Sequence, residues 1–187
     1  MISLGNSQNT NTSFMGIWSG GPAQFGSFLH AYHNTVNIEG SATSGAHPSF
    51  CFARGDFSGI TVSTMTVDVK NNIFVNTRSG GTGKHYAIGE NFGAPASSTG
   101  WGVNASDFNI LNSNASTIGF WTADQTFAGW KTASASDAHS FSGVTVTFVG
   151  PCDLHLDMGA ATNFIESQGV AGTGVNDDID DQVRPGP

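Results

Sequence analysis

The chain has 187 residues and a mass of 19.4 kDa, enough for one domain with a real core. Gly, Ser, Thr and Asn together make 79 of the 187 residues, while Asp, Glu, Lys and Arg supply only 11%, against about 25% in ordinary soluble domains. That balance excludes a charged helical bundle or coiled coil. A net charge of -8 with no Lys/Arg cluster excludes a nucleic-acid partner.

Leu occurs five times against 22 Val plus Ile and 14 Phe, and β-branched and aromatic residues suit pleated strands, so the expected class is all-β. Met1–Thr12 lacks a basic end followed by an apolar run, and no later stretch approaches the ~18 apolar residues of a membrane span. No membrane span is expected, and the Asn/Ser/Thr-rich opening reads as a fragment boundary. Low charge with abundant Ser, Thr and Asn points to an extracellular or cell-surface protein. Cys51 and Cys152 read as two free thiols, with one disulfide as the alternative.

Strand candidates follow closely along the chain: Phe28-Leu29, Thr35–Ile38, Ser49–Phe52, Val62–Val69, Ile73–Val75, His85–Ile88, Phe108–Leu111, Val144–Val149 and Leu154–Leu156. Asn71-Asn72 joins two of them, and Asn tolerates the left-handed backbone that turns a chain sharply. Asn34, Asn72 and Asn109 lie 38 and 37 residues apart, the mark of an imperfect repeat. Hairpin dipeptides are missing at these corners. The pattern therefore predicts short strands stacked in a coil, with Val67, Val69, Ile73 and Val75 inward and the Asn corners forming side-chain ladders; a β-sandwich is the alternative. Thr122–Lys131 departs from the pattern and predicts a short helix capped by Thr122, with Gln125 three residues on and Phe127 and Trp130 on one face.

The runs Leu29–Ile38 and Val67–Gly89, and above all Phe127–Lys131, Asp137–Ser140, Phe148–Pro151 and Asp153–Leu156, resemble the C-terminal coils of right-handed parallel β-helix proteins, the pectate-lyase-like repeat proteins of secreted Bacteroidetes-type surface proteins. Asp178–Asp181 followed by Arg184-Pro185 resembles their closing turn. The resemblance implies an all-β right-handed parallel β-helix with one short side helix near 122–132. It divides the single domain into an N-terminal coil or loop (1–28), repeat coils (29–156) and a closing segment (157–187).

Lyase chemistry on acidic sugars needs converging carboxylates and a base. Before residue 120 the acids are Glu39, Asp56, Asp68, Glu90 and Asp107, scattered singly, so no catalytic residue is expected. Arg78, Lys84 and His85 in a Gly-rich loop form a basic-plus-imidazole candidate for a sugar acid; solvated loop charges are the plainer account. Trp18 and Trp101, in Gly-rich loops, offer flat faces for sugar rings. Asp177, Asp178, Asp180 and Asp181 present hard oxygen ligands that suit calcium, the one cofactor contemplated; a solvated acidic end is the alternative.

Together these features predict a non-catalytic extracellular scaffold for adhesion or contact with a polysaccharide or cell-surface glycan, part of a larger surface protein. The alternatives are a fragment of a polysaccharide lyase or glycoside hydrolase, and a stalk or filament subunit associating end to end through open strand edges.

Overall fold

Short β-branched and aromatic runs broken by Gly and Asn become fourteen short strands in the computed structural model, which describes residues 1–5, 9–20, 27–55, 64–92, 95–159, 165 and 168–183. In chain order these are β1 (Ile2–Leu4), β2 (Phe14–Ser19), β3 (Phe28–Tyr32), β4 (Thr35–Ile38), β5 (Ser41–Ala42), β6 (Ser49–Arg54) and β7 (Thr66–Lys70). Then follow β8 (Ile73–Asn76), β9 (Ser79–Gly80), β10 (His85–Glu90), β11 (Ser106–Asp107), β12 (Ile110–Ser113), β13 (Thr117–Trp121), β14 (Ala123–Thr126) and one helix, α1 (Phe127–Ser134).

The strands make four separate sheets: β1-β4-β8-β12, β14-β13-β10-β6-β2, β11-β7-β3 and the pair β5-β9. Every pairing is parallel except β13 with β14. This arrangement corrects the expected fold. In place of a single all-β right-handed parallel β-helix, the described residues hold four distinct sheets, one of them ending in an antiparallel strand, with an α-helix packed on it.

The expected helix is displaced as well. Thr122 has φ +61 and turns β13 tightly back into β14, so residues 123–126 pair as a strand. Thr126 becomes the N-cap, its Oγ1 accepting from the Gly129 N–H at 3.2 Å. Gly119 is required beneath the helix, because a Cβ there would come within 2.8 Å of the Trp130 ring. Among the described residues no strand follows the helix; Val144–Val149 contributes only the antiparallel bridge Phe148 to Leu156.

The Asn repeat has a structural meaning. The residue before each of Asn34, Asn72 and Asn109 is left-handed: His33 at φ 54, Asn71 at φ 58 and Phe108 at φ 56. The Asn that follows turns inward and accepts from the corner one layer back. Asn72 Oδ1 takes the Asn34 N–H at 2.9 Å, Asn109 Oδ1 takes the Asn72 N–H at 2.9 Å, and Ser140 Oγ takes the Asn109 N–H at 2.8 Å. Such bonds satisfy backbone groups that a tight corner leaves unpaired inside the protein.

Each corner also reverses the inward alternation. Val67 and Val69 enter the core before it, and after it Phe74 does, aligned with Val36 and Leu111. Ile73 and Val75 were expected inward; Val75 is buried, at 7% exposed, while Ile73 is half-exposed, and neither joins that core cluster, because the left-handed residue gives the next inward place to Asn72 itself.

The core is lined from three sheets: Val36, Phe74 and Leu111 from the first, Phe52 and Ile88 from the second, Val67 and Val69 from the third. Trp101, Trp121 and Trp130 meet edge to face at 5.5–5.9 Å and plug the end beside α1. No helix among the described residues is long and apolar enough to cross a membrane.

Candidate functional site

The sheet β11-β7-β3 sets Tyr32, Lys70 and Asp107 side by side in register, with His30 opposite Asp68. Alternation sends Val67 and Val69 inward and leaves Asp68 and Lys70 half-exposed on the outer face. Residues from this face line a cleft of about 320 Å³, walled on its far side by 170–173. That wall is tied down by Asn71, whose Nδ2 donates to the Val170 carbonyl at 2.7 Å while its Oδ1 accepts the Val170 N–H at 2.8 Å. Thr173 Oγ1 lies 2.9 Å from His33 Nε2.

The polar groups of the cleft are closely partnered. Tyr32 donates to Asp68 Oδ2 at 2.6 Å, and Lys70 Nζ sits 2.9 Å from Asp68 Oδ1. Burial and the neighbouring Asp68 carboxylate push the Tyr32 phenol up to about 12. Asp107, its side chain 4% exposed, accepts the N–H of Phe108 at 3.0 Å and of His139 at 2.7 Å through Oδ1, and faces His139 Nδ1 through Oδ2 at 2.8 Å. His139 then lies flat on Phe108, ring centroids 4.7 Å apart and planes 11° off parallel. Phe108 is the bulky residue at a left-handed corner, an uncommon and strained choice. The stacked pair stands between this cleft and a second one of about 530 Å³, lining both.

The residues singled out from sequence are dispersed. Trp18 is 55% exposed on β2 and donates its indole N–H to the Gly55 carbonyl at 2.8 Å. Trp101 is 2% exposed inside the tryptophan plug, donating to Ser136 Oγ at 3.1 Å, so no ligand reaches its face. Arg78 is buried over the Phe14 ring, donating to the carbonyls of Thr10, Thr12 and Glu39; burial pulls its guanidinium below the ordinary range. Lys84 is exposed and pairs with Asp124 at 3.2 Å. His85 faces Ser49 Oγ at 2.9 Å, and burial lowers its basicity, with the Arg78 charge acting in the same direction. The three loop residues serve different neighbours.

In the acidic tail, Asp178 Oδ1 accepts the N–H groups of Asp180 and Gln182, each at 2.9 Å, and Asp180 Oδ2 meets His155 Nε2 at 2.9 Å. Asp177 forms the antiparallel bridge with Val183, and Asp181 turns at φ 59. No group of three or more His, Cys, Asp or Glu suited to a metal occurs among the described residues. Arg184, Pro185 and Asp56 lie outside them. Cys51 is buried and Cys152 exposed, and no disulfide joins them.

What sequence reading missed is the cleft itself. Its signal was the spacing already noticed at the asparagines: Tyr32, Lys70 and Asp107 are also 38 and 37 residues apart, and Phe108 holds the corner place of His33 and Asn71. His139 carried no such mark, because it arrives from outside the repeat on a shorter connection.

Comparison with known proteins returns no matching family model, no matching curated protein and no matching solved structure. The assignment to pectate-lyase-like repeat proteins, and the secreted-adhesin role drawn from that likeness, are therefore withdrawn.

Proposed function

We propose that the domain is a non-catalytic binding module that contacts a neutral glycan in the cleft over β11-β7-β3. The observation that carries the reading is the Phe108–His139 stack: a strained aromatic corner holding an imidazole that is 63% exposed, beside Tyr32, Asp68, Lys70 and Asp107. Flat apolar faces next to fixed hydrogen-bonding groups are what a sugar ring requires, and strained backbone is retained where the surroundings use it. Opposite charges within the cleft cancel in the Lys70–Asp68 pair, which favours a neutral chain over a polyanion.

The proton inventory favours binding over hydrolysis. A glycosidase general acid is a carboxyl held up into the neutral range and open to the sugar. Among the described residues, the carboxyls that burial raises are Glu90 and Asp137, both fully buried in the interior. Asp68 is engaged by a phenol and an ammonium, and Asp107 by two backbone amides and an imidazole, so both carboxyls of the cleft are already committed to neighbouring donors. A place outside the cell or on its surface belongs to the same proposal, on the low-charge, Ser/Thr/Asn-rich composition.

The test is titration calorimetry with neutral gluco- and galacto-oligosaccharides and with polygalacturonate. Binding of a neutral oligosaccharide, at least tenfold weaker in His139→Ala and unchanged in Trp18→Ala, is the expected result. Binding to none of these glycans, or equal affinity in the His139→Ala protein, refutes the reading.

A further inference from the structure

The Phe108–His139 stack has a cleft on each side. The second, of about 530 Å³, includes Ala138, Phe141 and Gln168 in its lining and shares only the two stacked residues with the first. One stretch of chain walls both, since 168 and 169 face the second cleft and 170–173 face the first. That wall is pinned where the two clefts meet. The paired Asn71–Val170 bonds hold it there, and Gly169 lets it come close, because a Cβ on 169 would stand 3.2 Å from Asn71 Oδ1. The clefts are therefore halves of a single trough, with a continuous wall along one side and the stacked rings as a rib between the halves.

The second half has the chemistry of another sugar subsite. Phe141 supplies a half-exposed ring, and the Gln168 side chain an amide that both donates and accepts, which suits a sugar hydroxyl. Among the described residues no Asp or Glu lines this half. Lys131, which also lines it, is already engaged: its Nζ donates to the Ala138 carbonyl at 3.0 Å and lies 5.2 Å from the centre of the Phe127 ring.

We infer that the glycan lies along the whole trough as a linear chain recognised from within its length. An internal sugar unit rests on the Phe108–His139 stack, and the units to either side occupy the two clefts. The inference rests on the glycan reading above and adds to it the kind of chain taken and the two residues, Phe141 and Gln168, that select for length. A second subsite adds contacts without a second loss of translational and rotational freedom, so a chain that reaches it gains affinity over one that does not.

The experiment is titration calorimetry of the intact chain with the disaccharide, tetrasaccharide and hexasaccharide of the gluco- and galacto- series. In the series that binds, the hexasaccharide is expected to bind about tenfold tighter than the disaccharide. Longer chains also offer more registers, a statistical gain that no side chain controls, so the variants decide. Phe141→Leu, which keeps apolar bulk and removes the flat ring, and Gln168→Ala should each remove most of that gain, whereas His139→Ala weakens every length. Circular dichroism checks that each variant keeps the parent fold; should Phe141→Leu lose it, Gln168→Ala carries the test. A hexasaccharide bound no tighter than the disaccharide, or a gain that survives in either folded variant, overturns this inference and leaves the His139-dependent glycan reading standing. Binding at no length overturns both.

Discussion

Asn72→Ala is the perturbation that tests the ladder most directly. The side chain is 1% exposed, and its Nδ2 donates to the Ala31 carbonyl at 2.8 Å and to Asn109 Oδ1 at 2.9 Å, while its Oδ1 accepts the Asn34 N–H. Alanine leaves the Ala31 carbonyl and the Asn34 N–H without these partners, at about 1–3 kcal/mol for each buried group orphaned, and opens a small void besides. A loss of about 4 kcal/mol is expected, a large share of the ~5–15 kcal/mol that holds a domain together, corresponding to a melting point lower by roughly 8–16 °C. Asn34→Ala should cost only about 1 kcal/mol, because Asn34 is half-exposed at the last rung and donates without accepting from a corner beyond it. Urea unfolding followed by circular dichroism and tryptophan fluorescence gives both values, with equal m-values confirming a comparable denatured state. A loss below about 1 kcal/mol at Asn72, or equal losses at Asn72 and Asn34, refutes the claim that the inner rungs satisfy buried backbone.

Four further outcomes are expected. Removing one partner of the fully buried Arg54–Glu90 pair, as in Glu90→Leu, should destabilise by about 3–5 kcal/mol, since Arg54 also holds the carbonyls of Met65, Ser97 and Thr99; chemical denaturation measures it, and near-neutrality refutes it. Burial raises the Asp137 carboxyl above the usual range despite bonds from Ser140, Trp130 and Asn109, so its contribution is fully present below the unfolded carboxylate range and is lost as pH rises through the raised value. Asp137→Asn should flatten that part of the stability–pH curve. His155, donating hydrogen bonds to Asp153 and Asp180 that raise its pKa, should clasp residues 178–182 below the unfolded histidine pKa and release them as pH rises through the raised value; NMR titration of the imidazole follows this, and an unshifted titration refutes it. Calcium, magnesium and chelator should leave the melting point equally unchanged, because Asp178 and Asp180 are bonded to amides and to His155; a calcium-specific rise would restore the tail as a metal site.

Sequence alone determined the strand-rich character and the repeat. β-branched and aromatic residues select extended backbone, and Asn at 38- and 37-residue intervals marks corners because it tolerates tight turns and bonds to backbone locally. It could not determine the phase after each corner. A left-handed residue shifts the alternation, so Asn72 and Phe74 take the places in the core cluster that simple alternation gives to Ile73 and Val75, leaving Ile73 half-exposed and Val75 buried apart from that cluster. Nor could it divide the strands among four sheets or close the last one with β14, since antiparallel return at Thr122 depends on a single left-handed dihedral and on Trp130 finding room over Gly119. The candidate site follows the same division. Tyr32, Lys70 and Asp107 share the legible spacing, but His139 reaches them only because Asp107 takes both its amide and its imidazole from beyond the helix, and the wall at 170–173 depends on two bonds to Asn71 across 99 residues of chain. Contacts of that length carry no local signature, because the chain between them leaves no periodicity to read, and only tertiary structure decides them.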